Sequence, residues 1–171
     1  MSRTGPRRFP RRALVLVGLA IVGGCWAAAY ASAAGTTLHY YNVQQTVTAT
    51  DAAGASLSNG GRGAAPQPGY HLDYTGLDYP GNHRHHASRA TASNHLACTF
   101  TSPTTLTCNT QIAIGGSLLL GNDVTATLSS NGVSSIPLNA GTGKYQHARG
   151  TVTVTPIANS PNADVTVTLD R

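Results

Sequence analysis

From residue 38 onward, apolar and polar positions alternate in short runs. Thr151-Val-Thr-Val-Thr155 and Val165-Thr-Val-Thr-Leu169 place an aliphatic side chain at every second position, with threonine between. A period of two is that of a β-strand with one buried face. The same reading predicts strands at 38–50, 70–79 (broken near Gly76), 95–101, 106–114, 117–120, 124–128, 133–138, 150–157 and 165–169. In the first of these, Tyr41, Val43 and Val47 share one side. Gly121-Asn122-Asp123, Asn131-Gly132 and Pro161-Asn162 supply turn chemistry between strands. Two stretches lack any apolar period: 51–69, rich in Gly, Ala, Ser and Pro, reads as a flexible loop, and 80–93 reads as a polar loop. No segment after residue 34 carries a helical period. The chain is therefore all-β, with about eight antiparallel strands that either close into a barrel or stack as a sandwich.

The first 34 residues have a different pattern. Arg3, Arg7, Arg8, Arg11 and Arg12 precede an apolar run at 13–24, and Ala31-Ser32-Ala33 forms a small-residue cleavage site. That order is the order of a secretory signal peptide. It divides the chain into a 1–34 signal and a single 35–171 domain that is secreted or extracellular. Paired arginines permit a twin-arginine route. Two other readings stay open. The apolar stretch is long enough to remain as an uncleaved membrane anchor at the cell surface, and Cys25 follows a loose lipoprotein-like box, Val22-Gly23-Gly24.

Removing the leader changes the charge. The whole chain is +5 with a sequence pI near 9.5. The domain keeps Arg62, Arg84, Arg89, Lys144, Arg149 and Arg171 against Asp51, Asp73, Asp78, Asp123, Asp164 and Asp170. It is neutral, so clustered phosphate neutralisation has no basis and nucleic acid is not an expected partner. Any membrane contact would run through the N-terminal segment alone.

The domain holds two cysteines, Cys98 and Cys108, flanking a segment centred on Pro103. Folded as a hairpin, that segment sets one cysteine opposite the other. An even count in an exported chain favours a disulfide. Buried free thiols are the alternative, and the spacing fits no common zinc site.

Near the C-terminus, Gly141-Thr142-Gly143-Lys144-Tyr145 and Ala148-Arg149-Gly150 resemble the G-T-G-x-[FY]-x-x-A-R-G signature of the allene oxide cyclase-like and dirigent-like barrel superfamily. Leu77-Asp78-Tyr79 before Gly81, the cysteine pair, and Gly115-Gly116 before Leu118-Leu119-Leu120 are similar to features of its secreted bacterial members. The likeness spans residues 70–171. It implies an eight-stranded antiparallel up-and-down β-barrel with a central cavity, in which Gly141, Thr142, Gly143, Tyr145 and Gly150 are fold motif residues. It also implies a homo-oligomer, trimer or dimer. Members of the superfamily cyclise an unstable epoxide or steer phenoxy-radical coupling. The His- and Ala-rich stretch between Gly81 and Cys98 departs from the short Gly-rich turn of relatives.

Candidate chemistry is sparse. The six acids are all Asp, and no Ser-His-Asp order or phosphate loop is present. Asp73, Asp78 and Arg149 are the catalytic candidates: a carboxyl with a raised pKa can move protons, and an arginine can hold an anionic or carbonyl group. Tyr41, Tyr74 and Tyr79 are ligand-binding candidates, offering apolar area with a hydroxyl. His83, His85 and His86 suit zinc, copper or nickel by residue type, but a solvated loop is the preferred reading, with no metal and no cofactor expected. Ring closure of a reactive substrate needs mainly a pocket that holds a near-attack shape. The sequence thus points to a secreted barrel that binds a small hydrophobic or aromatic molecule and directs its cyclisation or coupling. The alternative is a non-catalytic binding or structural module.

Overall fold

The computed structural model describes residues 35–58 and 65–170. The basic and apolar leader, with Cys25, lies outside the described residues, as do Arg62 and Arg171. Ten strands are present among those described: β1 (Thr37–Thr50), β2 (His71–Asn82), β3 (His85–His86), β4 (Ala92–Ser102), β5 (Thr105–Ile114), β6 (Ser117–Leu128), β7 (Ser134–Leu138), β8 (Ala140–Gly141), β9 (Gly150–Pro156) and β10 (Ala163–Leu169). A 3-10 turn spans Gly143–Tyr145. Among the described residues no helix is long and apolar enough to cross a membrane.

Strands β1, β2, β4, β5, β6, β7, β9 and β10 each pair antiparallel with the next, and β10 returns to β1, which closes an eight-stranded up-and-down barrel. Strands β3 and β8 are short additions on β2 and β6. Closure leaves no unpaired edge, which a sandwich of the same strands would expose. Alternation then sorts the side chains. Val152, Val165, Val167 and Leu169 are buried inside. Thr151 faces Thr168, and Thr153 faces Thr166, on the outer wall.

The two ends of the interior are packed. At one end Leu119, Leu138, Tyr145 and Leu169 lie under the glycine motif, where Leu119 pairs Gly141 and Gly150 pairs both Leu138 and Leu169. Gly143 has φ +57, and an added Cβ would press on the Ser117 side chain. Thr142 Oγ1 accepts from Leu118 N at 3.0 Å, and Ser117 Oγ accepts from Lys144 N. The motif is a lid stitched to β6, with Tyr145 as its buried plug. At the other end Cys98 and Cys108 are directly opposite in the β4–β5 ladder and form the disulfide that the hairpin spacing predicts.

Three local expectations change. Residues 117–128 form one strand, β6, and Gly121-Asn122-Asp123 is a β-bulge rather than a turn, with the register shifting opposite Cys108 and Thr110. The same residues serve because they tolerate unusual backbone: Asp123 has φ +49, and its N–H donates to Asn109 Oδ1 at 2.9 Å. In β1 a second bulge between Gln44 and Thr46 flips the alternation. Tyr41 and Val43 therefore face outward, while Val47 faces inward. Finally, the segment 80–93, read as a loop, contributes strand, and the described start of the 51–69 segment forms a capped turn. Asp51 Oδ1 caps the N–H groups of Ala53 and Ala55, and β2 runs on to Asn82 and turns back as β3, Gly81 opposite His86.

Candidate functional site

Between the packed ends lies a cavity of about 190 Å³. Leu96, Ile112, Ile136, Val152, Val154 and Val165 make its apolar wall, and Asn42, Tyr74 and Asn94 its polar side. Tyr74 and Val154 also border an outer recess of about 460 Å³ beside the β9–β10 turn, with Pro156, Asn159 and Asn162. These two shared residues form the boundary between inside and outside. The turn itself is pinned: Asn162 Nδ2 donates to the Tyr41 hydroxyl at 2.6 Å, and Asn162 Oδ1 accepts from Gln44 N at 3.2 Å.

The polar side follows from strand register. Asn42 on β1 is directly opposite Asp78 on β2, and Asn94 on β4 is opposite Gly76. Gly76 is required here, because a Cβ on it would come within 3.0 Å of Asn42 Oδ1 and Cγ. The glycine that looked like a break in a strand makes room for the amide. Asp78 is 1% exposed and Asn42 2%. Asn42 Nδ2 donates to Asp78 Oδ1 at 2.6 Å, and Asn94 Nδ2 donates to Asp78 Oδ1 and Oδ2 at 3.0 and 2.9 Å. The Tyr74 hydroxyl donates to Asn42 Oδ1. Burial raises the Asp78 pKa, and the bonds from Asn42 and Asn94 pull it partly back. Tyr40, behind the same cluster, is pushed up to about 12 by burial, with Tyr145 and Asp78 adding to the shift.

The sequence candidates separate into two groups. Asp78 and Tyr74 point inward and belong to the cluster. Tyr41 and Tyr79 lie on the outer wall with His86, whose ring stacks 4.6 Å from that of Tyr41; neither tyrosine lines the cavity. Asp73 is also outside, 3.0 Å from His95 Nε2, because it is one residue out of phase with Tyr74. Arg149 is exposed beyond the glycine lid. His83 binds Asp164 through its backbone N–H at 2.7 Å and through Nδ1 at 2.5 Å, so His83 and His86 have separate partners. Among the described residues no three His, Cys, Asp or Glu converge as a metal site. Asn42, Asn94 and Thr110 were not singled out by sequence reasoning. The available signal was spacing alone: Asn42 stands two residues after Tyr40, on the same side of a regular strand.

No family model and no curated protein matches the chain. Among solved structures, pyocyanin demethylase is similar, with a TM-score of 0.59 over 78% of this chain and 99% of that chain, at 15% identity. The relationship is one of closed-barrel fold, and fold alone leaves the chemistry to the site. This neighbour shares the barrel and does not confirm the allene oxide cyclase-like or dirigent-like assignment.

Proposed function

We propose that the barrel binds a small apolar or aromatic molecule in its central cavity and holds it for a cyclisation or coupling. The observation that carries this reading is the roughly 190 Å³ interior space, apolar on most sides, with a convergent amide–phenol–carboxylate cluster on one. An apolar protein cavity of about 150 Å³ takes up benzene, so the space suits one substituted ring. The recess at Tyr74 and Val154 gives a longer substituent room to follow. A confined molecule gives up its conformational freedom on binding, so ring closure then meets less of the entropic barrier. The structural neighbour, named for its action on pyocyanin, supports a small-molecule role. Export is part of the proposal: the leader reads as a signal, and a structural disulfide belongs to an oxidising compartment.

Methyl NMR with toluene as probe tests binding. Saturable shifts are expected at Ile112, Ile136, Val152 and Val165, and absent in Val165→Phe, which fills the space. Shifts that never saturate, or that survive the filling, refute cavity binding. For catalysis, the probe is an unstable epoxide that closes to a racemate in buffer. An enantiomeric excess with the protein supports the reading; a racemate refutes it.

A further inference from the structure

A buried carboxylate ordinarily has a cation beside it, because neutral hydrogen bonds offset its removal from water only in part. Asp78 is 1% exposed, and its side-chain partners are the amides of Asn42 and Asn94. Among the described residues, the titratable groups around it are the phenols of Tyr40, from β1, which senses its charge, and Tyr74, from β2, which reaches it through Asn42. Neither brings positive charge. The two ion pairs among the described residues, His83–Asp164 and His95–Asp73, both lie on the outer wall.

The carboxylate also decides how its amides point. Asn42 is used at both ends, donating to Asp78 and accepting from Tyr74. Asn94 turns its nitrogen to both Asp78 oxygens. Its Oδ1, the negative end of the amide dipole, is therefore the end left for the cavity that Asn94 lines. The polar side of the cavity presents a carbonyl oxygen in front and a carboxylate behind, set among aliphatic walls where charge is poorly screened. An anion would be repelled there. A neutral molecule would gain the Asn94 acceptor and the Thr110 and Ser134 hydroxyls that also line the space, and a cation would gain these together with the charge of Asp78.

We propose that the cavity is selective for a compact cation: a single ring bearing a protonated amine, or a positively charged nitrogen heterocycle, with its charged N–H on Asn94 Oδ1 and in the field of Asp78. This inference rests on the cavity-binding reading above and narrows its ligand class.

The probes are benzylammonium, its neutral isosteres ethylbenzene and benzyl alcohol, and the anion benzoate, each titrated by methyl NMR near neutral pH. Benzylammonium should bind at least about tenfold tighter than benzoate, and Asp78→Asn should weaken benzylammonium about tenfold while changing ethylbenzene less than about threefold. Retained ethylbenzene binding shows that the variant barrel is intact. A second arm needs no variant: in the wild type, benzylammonium affinity should fall as acid protonates Asp78, with ethylbenzene unaffected. Equal binding of benzoate, equal effects of Asp78→Asn on all probes, or benzyl alcohol matching benzylammonium in affinity and Asp78 dependence overturns cation selectivity and leaves cavity binding standing. If none of the four saturates, both fall.

Discussion

Opening the Cys98–Cys108 bridge tests how much of this barrel's stability is chain entropy. The two cysteines are 10 residues apart and exact register partners across β4 and β5. In the chain-entropy account, a closed loop of this size removes about 9 cal/mol/K from the unfolded chain, or about 2.8 kcal/mol at 25 °C. The perturbation is reduction of the wild type, which removes the cross-link and keeps the side-chain volume. The assay is urea unfolding with and without reductant. With a slope of about 2 kcal/mol/M for a domain of this size, the midpoint should fall by about 1.4 M. Cys98→Ala/Cys108→Ala should lose a further 1–2 kcal/mol or so, because both sulfurs are buried in the core. A reduced protein within about 0.5 kcal/mol of the oxidised one would refute the entropic argument. Neither cysteine lines the central cavity, so the reduced barrel should still bind toluene.

Two further expectations concern charge and export. Burial raises the Asp78 pKa in the folded state, so its contribution to stability is full below the ordinary carboxylate range and is lost as pH rises through the folded value. Each pH unit between the two values is worth about 1.4 kcal/mol. Thermal melts across acid to neutral pH should show that decline in the wild type and a flatter profile in Asp78→Asn; parallel profiles would count against a buried, destabilised carboxylate. N-terminal sequencing of protein recovered outside the cell should begin after Ala33 or Ala34, and a chain that begins at Met1 would rule out cleavage there.

The cavity and its charge are consistent with one another. An apolar wall binds by shape and area, without direction, so the orientation of a bound ring must come from the few polar groups. Asn42 and Asn94 are tied to one another through Asp78, and Tyr74 joins them through Asn42. Their geometry is set before any ligand arrives, which lowers the ordering cost of binding. Tyr74 has two roles, since it also lies at the boundary with the outer recess. Under the proposed binding, a substitution there is expected to change both entry and orientation.

Local chemistry carried much of the fold. Alternating Val and Thr marked β9 and β10, the spacing about Pro103 set the cysteines in register, and the glycine motif marked a segment in which Gly141, Gly143 and Gly150 each leave no room for a Cβ. Each of these is a matter of a few neighbouring residues, and a period of two is visible wherever the ladder is regular. The inward and outward assignments were not legible wherever the ladder slips. The bulge after Gln44 turned Val47 inward, away from the side that Tyr41 and Val43 share, and the bulge at Gly121 joined two expected strands into one. A one-residue shift reverses every later side chain, and the shift depends on the partner strand. The candidate site was hidden for the same reason. Asn42, Gly76, Asp78 and Asn94 come from three strands and meet only through cross-strand register. The sequence by itself determined that the strands are amphipathic and sequentially antiparallel. Closure of the barrel alone decided which face holds the cavity and which carboxylate is buried beside it, because both follow from pairing between residues far apart in the chain.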